Sequence, residues 1–278
     1  MPSVPTRAGD VSYVVQGKGM PVIMLHATLH DCHDFDSIAG KLAVHYQTIA
    51  VDWPWHGDSK GPTAGTSPTT HRPGAVEFAS VLEDFVTALD LPPAVIIGNS
   101  VGGFAAARLA ITYPTRVRAL VLVNSGGFLS PSPVLNLVVR FLCCLLGSST
   151  VSRLIMPRMV SGYMSPQTAE DELICQKTVT RARSKEGAWV CASLWHSFLD
   201  PEHNLRPRAQ EIKAPTLVVH GTRDIVVPLT ISKIVHKLIS GSKLEIIDAG
   251  HVVFSSKPEE FLRVVEPFIQ STLERQEE

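Results

Sequence analysis

Gly98-Asn99-Ser100-Val101-Gly102 constrains this chain more than any other stretch, because its surroundings fit as well as its letters. Ahead of it stands Ala94-Val95-Ile96-Ile97, an apolar, β-branched run of the kind that forms a short buried strand. After it comes Gly103-Phe104-Ala105-Ala106-Ala107-Arg108-Leu109-Ala110, rich in helix formers and stopped by Tyr113-Pro114. A strand that enters a helix through G-x-S-x-G must turn so sharply that the serine's neighbours have to be small. The helix N-terminus then points backbone N–H groups at any anion forming on a reacting carbonyl. Ser100 is therefore the candidate nucleophile; the bland alternative is a Gly-Ser turn that only caps a helix.

A serine hydroxyl needs a base to take its proton, and the base needs a third group to orient it. Thr216-Leu217-Val218-Val219-His220 reads as a buried strand, with the turn Gly221-Thr222-Arg223-Asp224 at its end. Lys243-Leu244-Glu245-Ile246-Ile247 reads as another strand, followed by Asp248-Ala249-Gly250-His251. Asp224 and His251 thus follow Ser100 in the order acid, then base, each just past the carboxyl end of a strand. In open parallel sheets, binding and catalytic loops gather at that edge. Asp248 is the alternative acid, disfavoured because it lies so near His251 in sequence.

Two further stretches carry a resemblance. Pro21-Val22-Ile23-Met24-Leu25-His26-Ala27-Thr28 is similar to a strand leading into a His-Gly-x loop, and Asp52-Trp53-Pro54-Trp55-His56-Gly57-Asp58-Ser59 to a D-x-P-G-H-G-x-S turn. With the Ser100 elbow they make the chain resemble the α/β-hydrolase superfamily from its first strand to its last helix. The resemblance implies an α/β fold: a mostly parallel, doubly wound sheet with a helical cap insertion. It also implies an oxyanion hole formed by the backbone N–H groups of Val101 and Thr28. His26 and His56 would brace loops. Ala27 and Trp55 depart from the pattern, each standing where the family has glycine. If either backbone needs φ > 0, the departure costs about 1–2 kcal/mol.

By the same resemblance the expected chemistry is acyl transfer from an ester-like bond (carboxylic ester, lactone or thioester), without metal or organic cofactor. Serine rather than aspartate at the elbow argues against epoxide hydrolases and haloalkane dehalogenases. Gly98-Asn99-Ser100-x-Gly102-Gly103 is also similar to the elbow of carbon–carbon bond hydrolases, and cofactor-free haloperoxidases share the triad. Hydrolase-fold small-molecule receptors keep it too, so fold and triad leave the substrate open.

The rest of the chain alternates strand and helix. Strands are expected at Val11–Val15, Val22–Leu25, Thr48–Val51, Val95–Ile97, Leu120–Val123, Leu217–Val219 and Leu244–Ile247. Helices fit at Phe35–Val44, Ala75–Leu89, Gly103–Thr112, Leu229–Ile239 and Glu259–Leu273. The rhythm breaks between Leu129 and Arg208, read as helices interrupted by Pro157, Gly162, Pro166 and Pro201. This divides the chain into a core of residues 1–128 and 209–278 and a cap of 129–208. The apolar run from Val134 to Leu146 is too short to cross a bilayer and reads as a cap helix buried against the core. Met156, Met159, Met164, Trp189, Trp195 and Phe198 are expected to pack the cap, some of them lining a pocket, with Trp189 and Met159 as the candidates to face it.

A chain that is 45% hydrophobic and 18% charged, with net charge −1, carries no electrostatic footprint for nucleic acid. Its expected partner is a small-molecule substrate, with no stable membrane insertion. Five cysteines (Cys32, Cys143, Cys144, Cys175, Cys191) show no zinc-type spacing, and their odd number argues against a disulfide framework. With no secretory signal in the first residues, a reducing, cytoplasmic location is expected. His30-Asp31-Cys32-His33-Asp34 holds metal-ligand residue types without a second cluster; Asp34 is expected to cap the helix from Phe35. Gly61–Arg72, rich in Pro and Thr, reads as a surface loop.

Overall fold

The apolar runs assemble into one sheet in the computed structural model, which describes residues 1–62, 72–130, 132–147 and 149–274. Its strands are β1 (Ser3–Thr6), β2 (Gly9–Gln16), β3 (Pro21–Leu25), β4 (Gln47–Val51), β5 (Ala94–Asn99), β6 (Val117–Val123), β7 (Thr216–Gly221) and β8 (Lys243–Ile247). They lie in the order β1-β2-β4-β3-β5-β6-β7-β8. The β1/β2 and β2/β4 pairs are antiparallel, and every pair from β4 to β8 is parallel. Every residue of β3, β5 and β7 is buried, as a parallel sheet covered on both faces requires. β8 is the opposite edge, and the charged side chains of Lys243 and Glu245 guard it.

Helices α1 (Asp36–Leu42), α2 (Ala75–Ala88) and α3 (Val101–Thr112) follow β3, β4 and β5. Between β6 and β7 the chain inserts α4 (Pro133–Gly147), α5 (Ser149–Met164), α6 (Ala169–Arg183) and α7 (Lys185–Ser197). It closes with α8 (Leu229–Leu238), α9 (Val253–Ser256) and α10 (Pro258–Glu274). The central stack of the core is aromatic: Trp53 lies flat on Phe78, with ring centroids 5.0 Å apart.

The structure differs from expectation at several boundaries. Pro157 and Gly162 lie inside α5 instead of ending it, since a helix with tertiary packing tolerates one missing backbone donor. The helix expected from Phe35 is preceded by a 3₁₀ turn, Cys32–Phe35, capped by Asp31, whose Oδ1 accepts from the His33 N–H at 3.0 Å. Asp34 is therefore not the cap. The helix α4 is only half-buried: Val139 is covered, while Val134, Leu137, Val138 and Phe141 are exposed. Most of the proposed Gly61–Arg72 loop, residues 63–71, lies outside the described residues. Among the described residues, no helix is long and apolar enough to cross a membrane.

Candidate active site

The turn from β5 into α3 is as tight as its glycines suggest. Ser100 takes φ 55° and ψ −115°, a conformation that strains a residue bearing a β-carbon by about 1–3 kcal/mol. Neighbouring groups fix it there. The Ser100 N–H donates to the Val123 carbonyl at 3.1 Å, and its own carbonyl accepts from Gly126 at 2.9 Å and Phe104 at 3.1 Å. A β-carbon on Gly102 would stand 2.3 Å from the Leu25 carbonyl oxygen, and one on Gly98 2.5 Å from that of Gly102. Packing as well as dihedral freedom therefore keeps the elbow free of larger side chains.

Asp224 and His251 meet from the ends of β7 and β8. Asp224 Oδ1 accepts from the N–H groups of Val226 (2.7 Å) and Val227 (3.1 Å), which leaves Oδ2 facing His251 Nδ1 at 2.6 Å. Burial works against ionisation of this carboxyl, but the His251 ring and the two backbone donors outweigh it and hold it below the usual range. An ionised Asp224 keeps the imidazole proton on Nδ1 and the lone pair on Nε2. The His251 peptide is pinned as well. Its carbonyl accepts from Asn99 Nδ2 at 3.0 Å and Asn124 Nδ2 at 2.9 Å, and its N–H donates to the Tyr163 carbonyl at 2.9 Å. Asp248 points elsewhere: Arg223 grips its carboxylate at 2.6–2.8 Å and Thr222 adds a bond at 2.9 Å, holding it well below the usual carboxylate range.

Ser100 and His251 share a cavity of about 50 Å³ with Ala27, Thr28, Leu29 and Val226 of the sheet layer. The roof is Met156, Met159, Tyr163, Cys191, Trp195 and Phe198 of the insertion. Thr28 thus reaches the cavity beside Ser100, and Val101 is the first residue of α3. A cleft of about 600 Å³ opens on the far side of Leu29, lined by His30, Asp31, Lys177 and Arg181 among others, but Ser100, Asp224 and His251 are not in it.

The two buried histidines of the flanking motifs brace the loops as expected. His26 Nε2 accepts from the Trp53 N–H at 3.1 Å while Nδ1 donates to the Ala27 carbonyl at 2.7 Å. His56 does the same between the Leu29 N–H (3.1 Å) and the Pro54 carbonyl (3.0 Å). Burial keeps both neutral, lowering His26 to about 3 and His56 well below its usual value. Of the two departures from the glycine pattern, Ala27 avoids positive φ and Trp55 does not, at φ 62°. The buried Trp55 ring meets Trp189 of α7 edge-on at 5.8 Å, donates from Nε1 to the Pro62 carbonyl at 3.2 Å, and does not line the cavity beside Ser100.

Sequence reasoning missed Tyr163, Cys191, Val226 and Asn124. The helical spacing Met156-Met159-Tyr163 and Cys191-Trp195-Phe198 was the available signal for two of them. Cys191 is no rival nucleophile, because burial pushes its thiol up to about 12. Of the two positions expected to face the pocket, Met159 lines it and Trp189 does not, its ring being turned to Trp55; Met164 also packs outside it. His30 and Asp34 face each other, Nδ1 to Oδ2 at 2.5 Å, in the interior.

A model of the alpha/beta hydrolase family matches residues 22–264. The chain is 27% identical to a 2-hydroxy-6-oxo-6-(2'-aminophenyl)hexa-2,4-dienoic acid hydrolase of Metapseudomonas resinovorans, covering 95% of this chain and 89% of that protein. It is also 27% identical to a pimeloyl-[acyl-carrier protein] methyl ester esterase of Neisseria meningitidis, covering 92% and 80%. A thermophilic esterase from Thermogutta terrifontis shares the fold, with a TM-score of 0.80 at 19% identity over 97% of this chain and 98% of that one. A match that takes in the parallel strands β3 to β8 and the insertion decides the matter: the chain belongs to the alpha/beta hydrolase family.

Proposed function

We propose that the protein is a serine hydrolase that cleaves an ester-like bond of a small, largely apolar substrate through an acyl-enzyme. The observation that carries this reading is the buried Asp224–His251 pair at 2.6 Å, opening onto the same cavity as the strained Ser100. In this reading residues 129–208 form a cap over a core of residues 1–128 and 209–278.

Ser100 Oγ attacks the substrate carbonyl while His251 Nε2 takes its proton. Asp224 keeps the imidazole in the required tautomer and stabilises the imidazolium. The backbone N–H groups of Val101 and Thr28 receive the oxyanion, each such donor contributing about 3–4 kcal/mol to the transition state. His251 then protonates the departing alkoxide. In the second half-reaction it activates a water that attacks the acyl-enzyme, releases the acid and restores Ser100. The chemistry requires no metal or organic cofactor.

The roof residues are Met, Trp, Phe, Tyr and Cys, and among the described residues no Lys or Arg lines the cavity. An anionic acyl group finds no counter-charge there, which favours a neutral ester over a substrate that presents a carboxylate to this wall. The test is labelling by a small fluorophosphonate together with turnover of p-nitrophenyl acetate. Wild-type protein is expected to do both and Ser100→Ala neither. Undiminished turnover by the alanine variant would remove the nucleophile from the proposal.

A further inference from the structure

Among the described residues, every polar group that holds His251 comes from the sheet layer except one. Its carbonyl belongs to Asn99 and Asn124 and its Nδ1 to Asp224, but its peptide N–H donates to the carbonyl of Tyr163, in the last turn of α5. The ring of the same tyrosine stands edge-on to the imidazole, with centroids 5.4 Å apart at 74°. Next to it, Gly250 lies so close under α5 that a β-carbon there would stand 1.9 Å from the Met164 carbonyl oxygen. The insertion therefore rests directly on the loop that carries the base.

The hydroxyl of Tyr163 is held too. Oη lies 3.2 Å from His30 Nε2, and His30 Nδ1 lies 2.5 Å from Asp34 Oδ2. The His30 side chain is fully buried and that of Asp34 is 6% exposed. Burying a carboxyl and an imidazole is costly unless they serve something, and the triad makes no use of them. Their arrangement suits one task. With the Asp34 carboxyl beside Nδ1, Nε2 is the ring nitrogen that faces the Tyr163 hydroxyl, which burial keeps protonated.

We infer that Tyr163 is a positioning residue, through which the four-helix insertion holds the catalytic base in place, and that the buried Asp34–His30 pair anchors Tyr163 for that purpose. The inference rests on the reading of His251 as base. It makes the insertion part of the catalytic apparatus as well as a wall of the substrate cavity: when α5 lifts, the His251 N–H loses its acceptor.

The test uses Tyr163→Phe, which deletes one oxygen and keeps both the ring and the backbone carbonyl. Hydrogen exchange at the His251 amide should accelerate by about fivefold or more, the equivalent of one lost hydrogen bond. The rate of labelling by a small fluorophosphonate should fall by a similar factor, and kcat should fall with KM nearly unchanged. His30→Gln should reproduce the defect. The double variant should be no worse than the worse single, because both act through one chain of contacts. Met159→Leu, on the same cavity roof, should leave the exchange of the His251 amide as it is. Exchange and labelling at wild-type rates in Tyr163→Phe, or two defects that multiply in the double variant, overturn the inference. Wild-type protein that is never labelled sinks the hydrolase reading instead, and the exchange measurements still judge the link between Tyr163 and His251.

Discussion

Asp224 Oδ2 lies 2.6 Å from His251 Nδ1, while Asp248, three residues ahead of that histidine, turns its carboxylate onto Arg223 and Thr222. The two acids are thus separated by geometry where sequence proximity alone could mislead. Asp224→Asn should lower kcat/KM by roughly 10⁴-fold, because an amide at that place favours the wrong imidazole tautomer. Asp248→Asn should leave kcat/KM close to wild type, its exposed partner being Arg223. Steady-state kinetics on the two variants decide the assignment, and the opposite ranking would transfer the role of acid to Asp248.

The positive φ of Ser100 separates catalysis from stability. Ser100→Ala should abolish turnover and leave the strain, since alanine keeps the β-carbon. Ser100→Gly should also be inactive yet more stable than the alanine variant. Glycine relieves about 1–3 kcal/mol of backbone strain against an entropic cost of about 0.4–1 kcal/mol. Chemical denaturation of the two inactive variants measures the difference, and a less stable glycine variant would mean that the turn is not strained.

The sheet and the places of Ser100, Asp224 and His251 along it were legible because each element announces itself locally. β3, β5 and β7 are short, built around β-branched apolar runs and ended by turn residues, so their burial could be read directly. Ser100 and Asp224 follow such strands, and His251 follows the edge strand β8. The strand β1 was missed because Ser3-Val4-Pro5-Thr6 buries one residue and carries no period. The roof of the cavity was only half legible: Met156, Met159, Trp195 and Phe198 stood out by type, but the bond from the His251 N–H to the Tyr163 carbonyl is a backbone contact that no side-chain pattern reveals. The His30–Asp34 pair was misread for a related reason. Asp31 and Asp34 are equally good caps on paper, and only the fold shows which one turns inward to a histidine.

Trp55 shows a residue held at a cost. Replacing it by glycine restores an unstrained φ but removes a buried ring that braces Trp189 and Gly61. Loss of a buried tryptophan outweighs the recovered strain, since large-to-small changes of this size cost about 3–5 kcal/mol against about 1–2 kcal/mol. Trp55→Gly should therefore be less stable by about 2 kcal/mol in urea titrations. A variant as stable as wild type would show that the ring contributes little to the join between sheet and insertion.

Acid should destabilise the fold in the histidine range. His26 is lowered to about 3 and His203 to about 4 by burial, and His56 and His220 are lowered as well. A histidine that is neutral when folded but titrates near 6.5 when unfolded lets the unfolded state bind more protons between those values. Its contribution is complete above about pH 6.5 and is lost as pH falls toward the folded value. Burial raises Asp34 and Asp52, which acts in the opposite sense from their unfolded values upward. With four histidines against two carboxyls, Tm should decline from pH 7 to pH 5, and His203→Asn should flatten the decline. A Tm constant over that interval would show that these rings are protonated in the folded protein.

The cavity beside Ser100, about 50 Å³, has room for only a few water-sized groups beneath Met156, Met159, Trp195 and Phe198. Each methylene that fits gains about 0.8 kcal/mol by leaving water, and the first that does not fit must displace the roof, at about 1–3 kcal/mol for overpacking. With p-nitrophenyl esters of increasing acyl length, kcat/KM should therefore peak at a short chain and fall steeply beyond it. Trp195→Ala and Met156→Ala enlarge the roof without touching Ser100, Asp224 or His251, so the peak should move to longer chains while the acetate ester loses affinity. If the insertion shapes the acyl site, the peak position follows the volume removed. A profile that keeps its wild-type maximum in both variants would mean that the acyl chain leaves Ser100 by another route, and that these side chains only pack the insertion.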